Sequence, residues 1–186
     1  MNNWRVFGLI LILVWVIGTL AYIYFLPNII YNGFDKEAVV KNGFSPSGVP
    51  VNTLYTATTL GSPSSNSLLL STGANHDTLY TGGLLDLSEG PEVLHVPNIS
   101  GRYYSIELVD SRGEDFADIG NGTAFQAGNY LISGPQWHGQ IPAGMTQIIS
   151  PDNKVLLIAR VLVENNSDLP VVYNLSKQIQ LTALSS

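Results

Sequence analysis

Cysteine is absent from this chain of 186 residues, and cations are few, with only 8 Lys and Arg and 3 His. The absence of cysteine excludes a disulfide framework, a thiolate metal site and a cysteine nucleophile. The 14 Asp and Glu give a net charge of −6, which argues against nucleic acid as a ligand. Stability must therefore come from an ordinary hydrophobic core.

One long apolar run lies near the N-terminus. Residues 6–26 contain no charged side chain, no amide side chain and no proline. A helix of this length spans about 31 Å, close to the thickness of the hydrocarbon core of a bilayer. Residues 1–5 carry Arg5 and no acid, so the positive-inside tendency predicts a cytoplasmic tail. We therefore expect a single-pass protein of the cell membrane, held in the lipid bilayer through residues 6–26, with its C-terminal domain extracytoplasmic.

A cleaved signal peptide is the alternative interpretation of this run. Thr19-Leu20-Ala21 would supply the small-residue cleavage site. The run is longer than the roughly 7–15 apolar residues typical of a signal peptide, and five more apolar residues follow Ala21. A signal-anchor is therefore favoured over cleavage.

The rest of the chain divides into a stalk and a domain. Residues 27–50 are rich in Asn, Gly and Pro and predict a juxtamembrane stalk, in which residues 35–40 could form a short helix. Residues 51–186 contain short β-type segments separated by frequent turn signals. Thr and Tyr in residues 51–60 favour a strand there, although a helical turn also fits so short a segment.

The domain is predicted to be built mainly of strands. The candidate strands are Thr78–Leu87, Glu92–Val96, Tyr103–Val109, Asn129–Ser133, Thr146–Ile149 and Lys154–Leu162. Ser167-Asp168, followed by apolar residues at helical spacing, predicts a capped amphipathic helix, and residues 181–184 a last strand. Without repeated strand–helix alternation, this order of elements predicts an all-β domain, an antiparallel β-sandwich or barrel with one short C-terminal helix.

No metal or hydrolase signature is present in the sequence. His76, His95 and His138 lie in different predicted elements, and their spacing fits no metal motif, so we predict neither a metal nor a cofactor. The Gly-x-Ser-x-Gly elbow of a serine hydrolase is also missing. Gly82-Gly83 lies inside a strand pattern and predicts a bulge or the close approach of another backbone segment.

Acidic residues at strand ends leave two interpretations open. Asp77, Asp86 and Asp110 could supply the acid–base pair of a glycosidase. Turn capping by short acidic side chains explains the same positions more simply.

The densest set of motifs lies between residues 75 and 110. In order, these motifs are Asn75-His-Asp-Thr-Leu-Tyr80, Leu85-Asp-Leu-Ser88, Val96-Pro-Asn-Ile-Ser-Gly-Arg-Tyr-Tyr104 and Asp110. Further matches are Phe116-Ala-Asp-Ile-Gly120, the segment 127–139 with Trp137, Pro142-Ala-Gly144, and the Arg160 strand leading into the Asp168-Leu169 helix. With these motifs, residues 51–184 resemble the domain-of-unknown-function family 1254.

The resemblance implies an immunoglobulin-like β-sandwich and no assigned activity. Members of the family commonly occur in longer soluble proteins, joined to a second β-rich domain of the family numbered 1214. No such segment follows in these 186 residues. The resemblance therefore implies a companion membrane protein that supplies the 1214-type domain.

Arg102 stands out within these motifs because it lies between Gly101 and Tyr103. Its guanidinium could form a forked ion pair with Asp86 or Asp110. The residues predicted to surround a pocket or partner groove are Asn75, Asp77, Tyr80, Arg102, Asp110 and Trp137. A purely structural role is the alternative, because turn chemistry alone also explains each residue type.

Two functions therefore remain open. The first is a membrane-anchored extracytoplasmic binding or assembly module that docks a companion subunit, its ligand being unknown. The second is an enzyme acting on a small polar or glycan-like substrate, with Asp77 or Asp110, Arg102 and a histidine at its site. The lack of a catalytic signature favours the first function, so enzymatic activity is left uncertain.

Overall fold

The computed structural model describes residues 3–34, 50–61, 77–124 and 126–184. Three sequence predictions lie outside these residues. They concern the site residue Asn75, the histidine His76 and the short helix over residues 35–40.

The N-terminal helix α1 is longer than the apolar run that predicts it. It extends over Asn3–Phe34, 32 residues, and contains Pro27. A proline inside a helix removes one backbone hydrogen bond, here the bond to the carbonyl four residues earlier. The hydroxyl of Thr19 donates to the carbonyl of Trp15 at 2.9 Å, so this polar side chain is satisfied within the helix. The helix therefore extends past residue 26, into the segment 27–50 predicted as a stalk.

Nine strands form two sheets within the described residues. The strands are β1 (Tyr55–Thr56), β2 (Thr78–Asp86), β3 (Glu92–Val96), β4 (Tyr104–Val109), β5 (Asp115–Gly120), β6 (Gly128–Ser133), β7 (Met145–Ile149), β8 (Lys154–Leu162) and β9 (Gln180–Ala183). One sheet has the order β1-β2-β8-β4-β5, and the other has the order β7-β6-β3-β9. All pairings between neighbouring strands of these sheets are antiparallel except that of β6 with β7.

The two sheets enclose one hydrophobic core, which confirms the predicted sandwich. In β4 the residues Tyr104, Ile106 and Leu108 are buried and alternate with half-buried neighbours, as the sequence pattern predicts. Buried residues of the second sheet, including Leu94 and Ile132, belong to the same core cluster. Burial of each such side chain stabilises the fold by roughly 1.5–3 kcal/mol. The sandwich thus holds together without cysteine.

The close approach predicted at Gly82-Gly83 is confirmed at Gly83. A Cβ atom at this position would overlap the backbone oxygen of Thr53, because the segment before β1 crosses directly above it. The register of β2 with β8 continues through both glycines, so the strand has no bulge here. A glycine at this position lets the short strand β1 dock on the sheet edge.

The predicted C-terminal helix is present as α2 (Leu169–Ser176), with a proline in its first turn. Val172 is fully buried, and Leu169 and Leu175 pack against the core. The helix therefore connects β8 of the first sheet to β9 of the second sheet.

Candidate functional site

Arg102 forms a forked ion pair, but with Asp168 and not with the predicted partners. Its Nη1 lies 2.5 Å from Oδ2 of Asp168 and its Nη2 lies 3.0 Å from Oδ1. Nη1 also donates to the carbonyl of Leu162 at 2.7 Å. The predicted pairing with Asp86 or Asp110 is wrong, because the turn before β4 faces the start of α2 and the end of β8.

The Asp168 carboxylate is fully used at this junction. It accepts a backbone hydrogen bond from Glu164 at 3.0 Å in addition to the two bonds from Arg102. The hydrogen bond from Arg102 is the main reason that the pKa of Asp168 lies below its ordinary value. The same carboxylate makes no side-chain hydrogen bond that caps α2, contrary to the prediction. This cluster therefore ties three segments together.

Asp110 closes its own turn at the far end of β4. Its Oδ1 accepts from the backbone nitrogens of Arg112 and Glu114 at 2.8 and 3.0 Å, and its Oδ2 lies 3.0 Å from Nη2 of Arg112. Burial opposes the charge, but these hydrogen bonds and the cation outweigh it and keep the pKa of Asp110 below its usual range. This residue and Asp86, which accepts two hydrogen bonds from Ser88, are turn caps, as the simpler interpretation predicts.

The described members of the predicted site lie at different places in the sandwich. Arg102 precedes β4 and Asp110 follows it, so these two residues lie at opposite ends of a strand about 20 Å long. Asp77 is exposed at the Arg102 end, where its backbone carbonyl accepts from Val163. Tyr80 lies between the two ends, with the guanidinium carbon of Arg160 5.5 Å from its ring centroid.

Trp137 occupies the connection between the parallel strands β6 and β7. Parallel neighbours need a connection that crosses a face of the sheet, and residues 134–144 supply it. A Cβ atom at Gly139 would overlap the indole ring, so the ring lies directly on the backbone of this connection. The position of Trp137 therefore points to a structural role in the crossover.

The described histidines are separate from one another. His95 lies on the outer face of β3, where its Nδ1 is 2.8 Å from Oδ1 of Asn129. His138 is exposed in the connection that contains Trp137. Among residues 3–34, 50–61, 77–124 and 126–184, no three His, Asp or Glu side chains are grouped to hold a metal ion.

A groove of about 440 Å³ lies along the open side of the sandwich. We call it the edge groove. It is lined by residues 52–56 beside and within β1, by residues 179–182 at β9, and by Tyr173 and Lys177. None of the described residues predicted for a site lines it. The sequence predicts strands at both ends of the domain, but only the sheet order shows that these two strands are edges facing one groove.

Two acidic side chains have raised pKa values away from this groove. Asp115 at the start of the edge strand β5 has its pKa raised to about 6 by desolvation, by Asp118 and by Glu107. Glu92, only 5% exposed on the inner face of β3, has its pKa raised by burial, and its Oε2 has no hydrogen-bond partner among the described residues. Asp115 pairs across the sheet with Val109, beside the turn that Asp110 closes, whereas Glu92 lies in the other sheet.

Helix α1 exposes a long apolar surface. Residues Asn3–Pro27 form a segment of 25 residues that is long and apolar enough to span a membrane, and none of its most apolar window is buried within the protein. Large side chains such as Leu13 and Ile17 are 59% and 57% exposed. An aqueous solvent strongly disfavours so large a contiguous apolar surface.

The fold and the helix together define a class, a two-sheet β-sandwich preceded by an exposed apolar helix. Residues 51–183 match the model of a family described as a protein of unknown function, DUF1254. The chain belongs to this family, which confirms the resemblance seen in its motifs. A comparison with curated proteins gives no match.

A solved structure shares this fold. The crystal structure of the VPA0106 protein from Vibrio parahaemolyticus aligns with a TM-score of 0.70 and 24% sequence identity. The alignment covers 89% of this chain and 37% of that chain. The present chain thus spans well under half of its relative's length, and in that relative further polypeptide accompanies the shared region.

Proposed function

We propose that this protein is a membrane-anchored binding or assembly module. Helix α1 holds it in the cell membrane, and the β-sandwich is displayed on the extracytoplasmic side to dock a companion protein. The exposed apolar surface of α1 is the single observation that carries the proposal, because a bilayer of matching thickness would cover it.

The arrangement of polar residues supports docking over catalysis. Arg102 and Asp110, both central to the enzymatic alternative, are each bound to another charged side chain of this chain. These two pairs lie at opposite ends of β4, so Arg102 and Asp110 do not form one compact catalytic pair. Arg102 and Asp110 thus hold the segments on either side of β4 in place.

The length of the solved relative supports the companion. The region shared with VPA0106 is 37% of that chain, so the remainder of that polypeptide accompanies the sandwich there. We propose that a separate membrane protein carrying a 1214-type domain takes the corresponding place beside this chain. Tethering both proteins to one membrane would raise their effective concentration without any new contact.

Labelling of single cysteines tests the anchoring and its orientation. The natural chain has no cysteine, so Asn165→Cys and Asn3→Cys each introduce one thiol at an exposed position. A membrane-impermeant maleimide should label the Asn165→Cys variant on intact cells and the Asn3→Cys variant only after lysis. The reverse pattern would overturn the orientation. Labelling of both variants only after lysis would contradict the extracytoplasmic location of the domain.

Isolation from detergent extracts tests the companion. The full chain, purified from its own membranes under mild detergent, should bring down one protein with a 1214-type domain at near-equal yield. Recovery of the chain alone, at a detergent concentration that keeps other membrane complexes intact, would contradict the docking function.

A further inference from the structure

The edge groove is bordered by two sheet edges. Within the described part of the chain, β1 pairs only with β2 and β9 pairs only with β3. The outer side of each strand therefore presents backbone N–H and C=O groups that have no strand partner among the described residues. Such an edge is the surface to which an extended peptide adds by backbone hydrogen bonds. Strand β9, with four residues against two in β1, offers the longer template.

The charge of the edge groove differs from that of the rest of the chain. The net charge of the chain is −6, yet the described residues that line the groove include no Asp or Glu, and Lys177 is the only charged residue among them. Lys177 makes no ion pair with any described residue, and its Nζ lies 5.6 Å from the ring centroid of Tyr173. A carboxylate entering the groove would meet an ammonium group that no acid among the described residues neutralises.

The floor of the edge groove is apolar. Ile179 is 3% exposed, and Leu54 and Leu181 are half-buried beside it. In an added strand, alternate side chains point to the same face and would contact this floor. The volume of about 440 Å³ lies within the usual range of binding sites.

We propose that the edge groove binds an extended segment of a partner protein, which adds as a strand to β9 and places an Asp or Glu carboxylate on Lys177. The inference deepens the proposed docking function and rests on it, since it states where and by what chemistry the companion is held. Backbone bonds along β9 would supply affinity, and the carboxylate would select the segment.

Peptide selection on the full chain tests the proposal. A phage library of random heptapeptides is panned against the chain in detergent micelles, after subtraction on empty micelles. Enriched peptides should carry Asp or Glu, and a synthetic copy should bind the Lys177→Glu variant about tenfold more weakly or worse. Replacing the acid of the peptide by Lys should restore binding to that variant. Lys154→Glu, a change at an exposed lysine outside the groove, should leave binding unchanged.

A scan of backbone N-methylation then tests strand addition. In an added strand only every second backbone N–H of the peptide points at β9. N-methylation at those positions should therefore abolish binding, and N-methylation at the positions between them should have little effect. The proposal is overturned if no peptide is enriched over empty micelles, if Lys177→Glu binds equally well, or if methylation sensitivity does not alternate. Isolation of the companion from detergent extracts tests docking independently of the edge groove, so failure of strand addition can be told apart from failure of the proposed function.

Discussion

Arg102 and Asp168 lie 66 residues apart in the chain and form a two-pronged ion pair at one end of the sandwich. Their side chains are only 18% and 14% exposed. The pair joins the turn before β4 to the start of α2, and through the carbonyl of Leu162 to the end of β8. The geometry of this pair gives the motif residue Arg102 a structural role, which is to hold this end of the fold together.

Loss of this pair should destabilise the whole domain. Arg102→Ala removes both hydrogen bonds to Asp168 and leaves that carboxylate without its cation. We therefore expect the midpoint of thermal unfolding to fall by roughly 3–8 °C at pH 7. Tryptophan fluorescence of the full chain in detergent measures it. Lys177→Ala is the control, because Lys177 is exposed and makes no ion pair among the described residues, and its effect should be much smaller.

The contribution of the Arg102–Asp168 pair should depend on pH. The folded pKa of Asp168 is depressed, so its contribution is present above the unfolded value of about 3.9 and is lost as pH falls through the folded pKa. The gap in midpoint between the natural chain and Arg102→Ala should therefore narrow steadily below about pH 4. A gap that stays constant from pH 7 to pH 3 would show that packing, not charge, is the main contribution of Arg102.

Glu92 should destabilise the domain at neutral pH. Its folded pKa is raised by burial, so the stabilising protonated form is fully present below the unfolded value of about 4.3 and is lost as pH rises through the folded pKa. Glu92→Gln should raise the unfolding midpoint by a few degrees at pH 8 and leave it unchanged near pH 4. Glu89→Gln, at an exposed position nearby, should leave the unfolding midpoint unchanged at both pH values. Equal unfolding midpoints for the natural chain and Glu92→Gln at pH 8 would contradict the interpretation that Glu92 is buried at a cost to stability.

Asp115 should titrate near pH 6. Desolvation, Asp118 and Glu107 together raise its pKa to about 6. Carbon-detected NMR of its carboxyl in isotope-labelled chain measures the pKa directly, and Asp118→Asn should lower it because one neighbouring negative charge is removed. A pKa of Asp115 near the ordinary value of about 3.9 in the natural chain would contradict this prediction.

Gly83 should tolerate no side chain. Alanine at this position would drive its Cβ into the backbone oxygen of Thr53, so we expect Gly83→Ala to cost about 1–3 kcal/mol of unfolding free energy by displacing β1. Denaturant titration of the full chain measures this cost. Gly18→Ala, a position with no atom within 4 Å of the added Cβ, is the control and should be close to neutral.

Much of the sandwich is predictable from the sequence because its strands alternate. Strand β4 shows this alternation along its whole length, and β3 and β8 have the predicted bounds. Strand β5 is missed because it lies at a sheet edge, where Asp115 and Asp118 stand among half-buried residues and only its last two residues are buried. An edge strand needs little apolar sequence, so its pattern resembles a loop.

The site is less predictable than the fold. The sequence predicts a forked ion pair of Arg102 with Asp86 or Asp110, but the partner is Asp168, because the topology brings the turn before β4 to the start of α2. The edge groove is likewise invisible in the sequence, because it exists only where the ends of two sheets face each other. Local patterns determine strands, whereas partners across the sandwich depend on the whole chain.

The most direct test of the account is the fate of helix α1 in native membranes. Membranes containing the chain are washed with alkaline carbonate, and the pelleted protein is analysed by intact mass. We predict that the chain stays in the pellet at its full mass of 20.1 kDa, and that a Leu13→Arg, Ile17→Arg variant is released. A natural chain that is released into the wash, or that has lost its first 21 residues by cleavage after Ala21, would contradict the membrane anchor.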